Sequence, residues 1–493
     1  MSALQSPVID QPHTRLPLTP RQICQRNRGY GMFIHFGPIT FNEIEWSDGS
    51  LPISSYAPSD LDCDQWVRVA KEAGFSYVIL ITKHHDGFCL WNTATTGYSV
   101  AQSPVKVDVV AEVAAACQRH GVELGLYYSL WDRSAPAHAD PDPAVYQNYM
   151  FGHLEELMTR YGPVCELWLD GAWAKPNEDW NIAELYARMG RWQPDCVVSV
   201  NHTIHPEGKP TEIQLPIDMR EGDALRFWPV DFRLKDPNFA NLDDPQLYSW
   251  QGELHRLPFE HTICISDHWN WFQKKGEMPI REVDELEQLF YWGTHNDNSL
   301  IVNLPPDRTG RIRESEAVRA FELADRLGIR GGGRPLPTGP VNVLFGARAM
   351  ASSEAADAFR AAKAVDSSLE SYWEAAHPQA VLEVLMDAPQ PIDQVVIHEA
   401  PVNRPQEDSF TTLHDYHVRA YTVELRVDGQ WLVVHQGAGI GAAKRIDLTQ
   451  VYQADGVKLT ITDAVAPPRI AHLAASHRQT RGLRPLYKLA QPH

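Results

Sequence analysis

Seven short, almost continuously apolar runs recur through the first 330 residues: GMFIHF (31–36), SYVILIT (76–82), VELGLYYS (122–129), CELWLDG (165–171), CVVSVNH (196–202), HTICIS (261–266) and SLIVNLP (299–305). Unbroken hydrophobicity, rather than strict alternation, is the pattern of parallel strands covered on both faces. Between the runs the period becomes helical. In VDVVAEVAAACQRHG, Val109, Val110, Val113 and Cys117 fall on one stripe, and Gly121 stands where a helix C-cap belongs. AVYQNYMFGHLEELMTRYG and REVDELEQLFYWG follow the same rule. Strand-then-helix units repeated this often predict an α/β fold. Polar and aromatic residues gathered at the strand C-terminal ends narrow it to a (β/α)8-like barrel. The eighth strand is expected in the irregular stretch 204–250. A doubly wound sheet is the alternative, disfavoured because no G-x-G-x-x-G turn follows an early strand.

The texture changes at IRGGGRPLPTGPVN (329–342). Beyond it, AVLEVLMD, QVVIHEA, AYTVELRVDGQWLVVHQG and GVKLTITDA read as short β runs, DGQW marks a hairpin turn, and no helix is evident. A chain of 493 residues has room for two cores. The expected organisation is a barrel over 1–330, a Gly/Pro linker over 331–342 and an all-β sandwich over 343–480.

Composition mainly excludes. With 44 basic and 63 acidic residues the net charge is −19, which argues against nucleic acid and anionic membrane surfaces as partners. No 18 apolar residues run together, so no membrane-spanning helix is expected. MSALQSPVIDQPHTRLPLTPRQ lacks a basic start followed by an apolar stretch. The seven cysteines are scattered without a C-x-x-C pair and read as free, mostly buried thiols of a reducing compartment. A cytoplasmic location is expected, or a periplasmic one if a leader has been removed. The oligomeric state is left open. The positive sign is the aromatic load, 15 Trp and 17 Tyr, since aromatic faces are platforms for sugar rings.

In a barrel, residues at strand C-terminal ends line the mouth. Here they are His35; His84, His85 and Asp86; Tyr128 and Trp131; Trp168 and Asp170; Asn201 and His202. A mouth rich in histidine and poor in lysine and arginine does not suit phosphate. Trp168 and Asp170 share a strand face, and Gly171 lets the chain turn. The same residues read structurally as turn, cap and core, and Trp180 and Trp192 are expected in the core. A metal site at His84, His85 and Asp170 is a rival reading, weakened because strand neighbours face opposite ways.

GMFIHFGPITFNEIEWSDG, KHHDGFCLWNT, LGLYYSLWDR, YGPVCELWLDGA and NSLIVNLPPDRTGRI, in this order over about residues 28–330, resemble the motifs of glycoside hydrolase family 29, the retaining α-L-fucosidases. The Trp-Asp-Gly context and WDR are most similar to the subgroup acting on α-1,3/1,4-linked fucose. NVLFGARAMASSEAADAFRAAKAVDSSLESYWEA resembles a discoidin-like (factor 5/8 type C) β-sandwich, a common carbohydrate-binding appendage.

The resemblance implies an exo-acting hydrolase working by double displacement on a fucosylated oligosaccharide or glycoprotein glycan, without metal or cofactor. Asp170 matches the nucleophile. Glu260, in RLPFEHTICISDHWNWF, is the favoured acid/base, ahead of Glu253 and Asp231. Apolar neighbours such as Pro258 and Phe259 would keep it protonated. His35, His84, His85 and Tyr128 would bind sugar hydroxyls, with Trp46, Trp168 and Trp271 walling the pocket. Phe36, where many members carry Trp, is expected to alter that wall. A metal-dependent barrel hydrolase and a non-catalytic sugar-binding protein are the alternatives.

Overall fold

The computed structural model describes residues 16–481, apart from 207, 210, 267–269, 275, 277 and 406–411. The first 15 residues therefore lie outside the described residues, as does Glu207 of the segment HTIHPEG (202–208), whose two histidines are further candidate ligands in the sequence. Eight strands form one parallel sheet: β1 (Tyr30–Ile34), β2 (Tyr77–Lys83), β3 (Glu123–Ser129), β4 (Glu166–Asp170), β5 (Val197–Val200), β6 (Arg233–Leu234), β7 (Phe259–Cys264) and β8 (Ser299–Asn303). Their order is β5-β4-β3-β2-β1-β8-β7-β6. The two edges meet through Asp231 N–H donating to the Val198 carbonyl at 2.8 Å and His202 N–H to Leu234 at 3.1 Å, which nearly closes the barrel. All seven apolar runs became strands. The eighth, β6, has two residues, one of them the charged Arg233, and so left no hydrophobic signature.

Side chains fill the barrel in layers. Gly31 and Gly125 fix which face looks inward, because a Cβ there would meet the Tyr77 ring at 2.5 Å and Ile79 at 2.9 Å. Alternation then turns Phe33 and His35, Tyr127 and Ser129, and Glu166, Trp168 and Asp170 into the barrel. Helix Pro20–Arg28, capped by Thr19 in a reciprocal capping box with Gln22, lies across the lower, N-terminal end. Its Gln22 side chain donates to the Asp231 and Arg256 carbonyls.

A second hydrophobic core forms from Leu344 onward, around Trp373, Leu382, Tyr421 and Leu459. It is enclosed by a seven-stranded antiparallel sheet whose long strands, Ala380–Glu399 and Lys444–Ala464, bend at register shifts, giving the expected sandwich-type architecture. The DGQW turn is observed, with Asp428 and Gly429 both at positive φ. Two short 3₁₀ helices, Asp357–Phe359 and Ala361–Val365, were not anticipated. Six of the seven free cysteines are buried and Cys24 is exposed. No helix among the described residues is long and apolar enough to cross a membrane.

Candidate active site

The upper end of the barrel opens into a cavity of about 320 Å³, near the lower end of the roughly 300–1,000 Å³ usual for ligand sites. Asp170, at the end of β4, stands in its wall. Its Oδ2 accepts from the Tyr127 hydroxyl at 2.8 Å, and its Oδ1 accepts from Asn201 Nδ2 at 3.0 Å and from Gly171 N–H at 2.7 Å. Gly171, at φ 78°, makes the turn that folds the chain back onto the carboxylate. Burial raises the Asp170 pKa, and these donors pull it back by favouring the ionised form.

Asn201 Nδ2 also donates to Asp236, two residues beyond β6. Two carboxylates on one amide nitrogen have their nearest oxygens within about 6 Å of each other. Burial first, and then the Asp170 charge, push the Asp236 carboxyl up to about 6. Three donors favour the ionised form of Asp170, and the charge of that form adds to burial in favouring the protonated form of Asp236.

The histidines are neutral in this setting. Burial takes His35 and His85 down to about 3, and His84 well below its usual value. The Asn303 amide nitrogen donates to the Asn270 and Trp271 carbonyls, so its Oδ1 accepts from His35 Nδ1 at 2.8 Å. The Ser129 hydroxyl donates to the Trp131 carbonyl, so its oxygen accepts from His85 Nδ1 at 2.7 Å. Both rings therefore carry the acceptor lone pair on Nε2, on the side away from these anchors. His84 Nδ1 is buried without a partner among the described protein atoms. Such a set takes up O–H donors. The aromatic wall consists of Phe33, Trp46, Tyr127, Trp168, Trp173 and Trp271, with Trp46 and Trp173 stacked at 5.4 Å.

The profile of the family described as Alpha-L-fucosidase matches residues 20–331. The chain belongs to that family. It is a glycoside hydrolase, and the similarity runs well past the barrel. A rice protein (Oryza sativa subsp. japonica) provisionally named alpha-L-fucosidase 1 is 30% identical over 453 residues, 89% of this chain and 81% of that one. Alpha-L-fucosidase 1 of Arabidopsis thaliana is 26% identical over 471 residues, 93% of this chain and 87% of its own. A crystal structure from Bacteroides thetaiotaomicron, also provisionally named an alpha-L-fucosidase, superposes with a TM-score of 0.55 at 25% identity, covering 96% of this chain and 99% of that one.

The fold brings together most of the residues expected at the mouth of this hydrolase: His35, Trp46, His84, His85, Trp168, Asp170 and Trp271 all line the cavity. Both His84 and His85 face it, with ring centroids 4.1 Å apart, because they follow the last residue of β2 and are released from strand alternation. Beneath them Lys83 pairs with Asp132 at 3.1 Å, both fully buried, and Asp132 also accepts from Ser134 and Ala135 backbone N–H groups. The acid and base of KHHD and WDR thus pin this turn. Trp91 donates to Glu156 and is likewise structural.

Three expectations need correction. Tyr128 points out of the barrel, where its hydroxyl meets His153 at 3.1 Å; the inward residue is Tyr127. Phe36 packs among Phe41, Tyr56 and Trp66 behind the wall and does not line the cavity. Glu260 is at the wrong end of the barrel. It pairs in register with Ser299, the first residue of β8, and its Oε2 accepts from Tyr77 at 3.0 Å, Ser299 at 3.1 Å and Gln25 at 2.5 Å. Its companion Glu166 starts β4, so Asp170 lies four residues, roughly 13 Å, farther up the strand. Neither substitute serves. Asp231 is buried against Tyr186 and the Val198 N–H, below the cavity, and Glu253 is exposed on the strand Glu253–Arg256. Sequence reasoning missed Glu45, Trp173, Lys235 and Asp236 as cavity residues. The signal for Asp236 is alternation along Phe232, Leu234 and Asp236, hidden by the shortness of β6.

Proposed function

We propose that this chain is a retaining exo-α-L-fucosidase acting on α-1,3/1,4-fucosylated glycans, with Asp170 as nucleophile and Asp236 as acid/base. The observation that carries the reading is the sharing of one Asn201 amide by two buried carboxylates, inside a pocket of neutral histidines and indoles. Retaining hydrolysis asks for carboxyl groups about 5–5.5 Å apart. In the first step a carboxylate oxygen of Asp170 bonds to the anomeric carbon as the bond to the leaving oxygen breaks, and the proton of Asp236 passes to that oxygen. In the second, water gives its proton to Asp236 and displaces Asp170 from the same carbon. His35, His84 and His85 accept hydrogen bonds from sugar hydroxyls, and Trp168 and Trp271 face the apolar side of the ring.

The linkage preference is supported by the WLDG (168–171) and WDR (131–133) segments. WDR supplies Trp131, which packs on Trp173 at 5.1 Å near the rim. The NVLFGARAMAS…SYWEA segment supports a discoidin-like type for the C-terminal β region.

The test separates the two carboxylates. Asp170→Gly loses turnover by orders of magnitude, and azide restores it as β-fucosyl azide, because the small anion enters in place of the carboxylate. Asp236→Ala loses about 10²-fold or more on a fucosyl disaccharide but far less on an activated aryl fucoside, and azide then yields the α-fucosyl product. Glu45 is the other carboxyl residue lining the cavity among the described residues. Leaving-group dependence in Glu45→Ala and its absence in Asp236→Ala would move the proton donor to Glu45.

A further inference from the structure

The segment that carries Lys235 and Asp236 into the cavity has no regular structure of its own from Asp236 to Leu242. It is held from two sides. On the barrel side, Phe239 stacks on His261 at 4.8 Å, Ala240 N–H donates to His261 Nε2 at 3.2 Å, and Trp292 Nε1 donates to the Ala240 carbonyl at 3.0 Å. On the other side stands loop 366–371 of the C-terminal β region. One oxygen of Glu370 accepts from both Asn238 Nδ2 at 3.1 Å and Phe239 N–H at 3.2 Å. The Ser367 carbonyl accepts from Leu242 N–H at 2.9 Å, and Leu369 packs against the barrel core. Loop 366–371 is itself stapled: Asp366 accepts from Ser368 N–H at 3.0 Å and from the Ser371 hydroxyl at 2.8 and 2.7 Å. Asn238 completes the link, because its Oδ1 accepts from Lys235 Nζ at 3.0 Å.

We propose that Glu370 is a positioning residue of the active site, and that the C-terminal β region is a working part of the hydrolase because this carboxylate fixes the segment bearing Lys235 and Asp236. The inference rests on the reading of Asp236 as proton donor. Two N–H groups on one acceptor define both position and direction of the backbone between residues 238 and 239, two residues from the reacting carboxyl. Removing the acceptor leaves the barrel-side contacts intact and frees Asp236 to shift by a fraction of an ångström. That is enough to spoil proton transfer, while the wall of the pocket stays in place.

The experiment uses the full chain, with kcat and KM measured per folded molecule on a fucosyl disaccharide and on an activated aryl fucoside. Glu370→Ala is expected to lower kcat on the disaccharide by about tenfold or more, and on the aryl fucoside by no more than about threefold. Glu370→Gln retains the acceptor oxygen and is expected to recover most of the loss, which a requirement for charge would not allow. Glu370→Ala added to Asp236→Ala should cost nothing further on the disaccharide. Should Glu370→Ala fold poorly, Asn238→Ala removes half of the clasp and is expected to give the same substrate split at smaller size. Wild-type kinetics for Glu370→Ala on both substrates, or equal losses on both that add to those of Asp236→Ala, would overturn the proposal. The parent reading is judged separately by Asp236→Ala alone. If that variant shows no leaving-group dependence, Asp236 is not the acid.

Discussion

One position along β3 separates a residue that touches Asp170 from one that does not. Tyr127 donates to the Asp170 carboxylate, and Tyr128 donates nothing to the cavity and packs against His153 and the cationic Lys83, 4.4 Å from its ring. A hydrogen bond to an ionised group contributes about 1.5–3 kcal/mol. Tyr127→Phe is therefore expected to lower kcat/KM by roughly 10- to 100-fold, whereas Tyr128→Phe should alter thermal stability and leave kcat/KM within about threefold. Steady-state kinetics on the two variants, with a melting curve for each, check this. Equal kinetic effects would mean that the inward face of β3 is misassigned. The residue types at this site were readable from the chain, and so was the preference of neutral imidazole for hydroxyls. Which face of β3 looks inward was not, because the contacts that set it, Tyr77 over Gly31 and Ile79 against Gly125, join neighbouring strands.

At the scale of elements, the long apolar strands were legible because burial on both faces leaves an unbroken hydrophobic run. The two-residue β6 and the irregular segment after it were not, since nothing periodic marks them, and the place of Asp236 in the cavity was therefore hidden in the chain. PFEH looked suitable for an elevated pKa, and burial does push Glu260 up to about 7 and Glu166 well above its ordinary value. That elevation is a property of the barrel floor, which helix Pro20–Arg28 closes from below. A carboxyl whose pKa is higher in the folded than in the unfolded chain contributes stability that is fully present below the unfolded value, 4.5, and lost as pH rises through about 7. Glu260→Gln is expected to keep kcat/KM on both substrate types, and to flatten the fall in stability between these pH values by on the order of 2 kcal/mol. Denaturant melts at pH 5 and pH 8 measure it. Loss of turnover with an unchanged stability profile would return Glu260 to the chemistry.

At the scale of the whole molecule, the β region beyond Leu344 is tied to the barrel by charge as well as by the Glu370 clasp. Arg445 reaches Glu287 at 2.9 and 2.7 Å, and its N–H meets Asp284 at 3.2 Å. Trp292 and His472 meet edge to face at 5.3 Å. Contacts between residues 130 and more positions apart have no local period, so the division of labour between the two cores was beyond the reach of patterning. The proposed double displacement requires that Asp170 form a covalent fucosyl intermediate, which water then opens from the face the leaving group vacated, with net retention. Proton NMR of the sugar released from an α-fucoside, recorded before mutarotation, tests it most directly. With retention, α-L-fucose appears first and the β anomer grows in only at the rate of spontaneous equilibration; β-L-fucose as the first product would mean single displacement and no covalent intermediate.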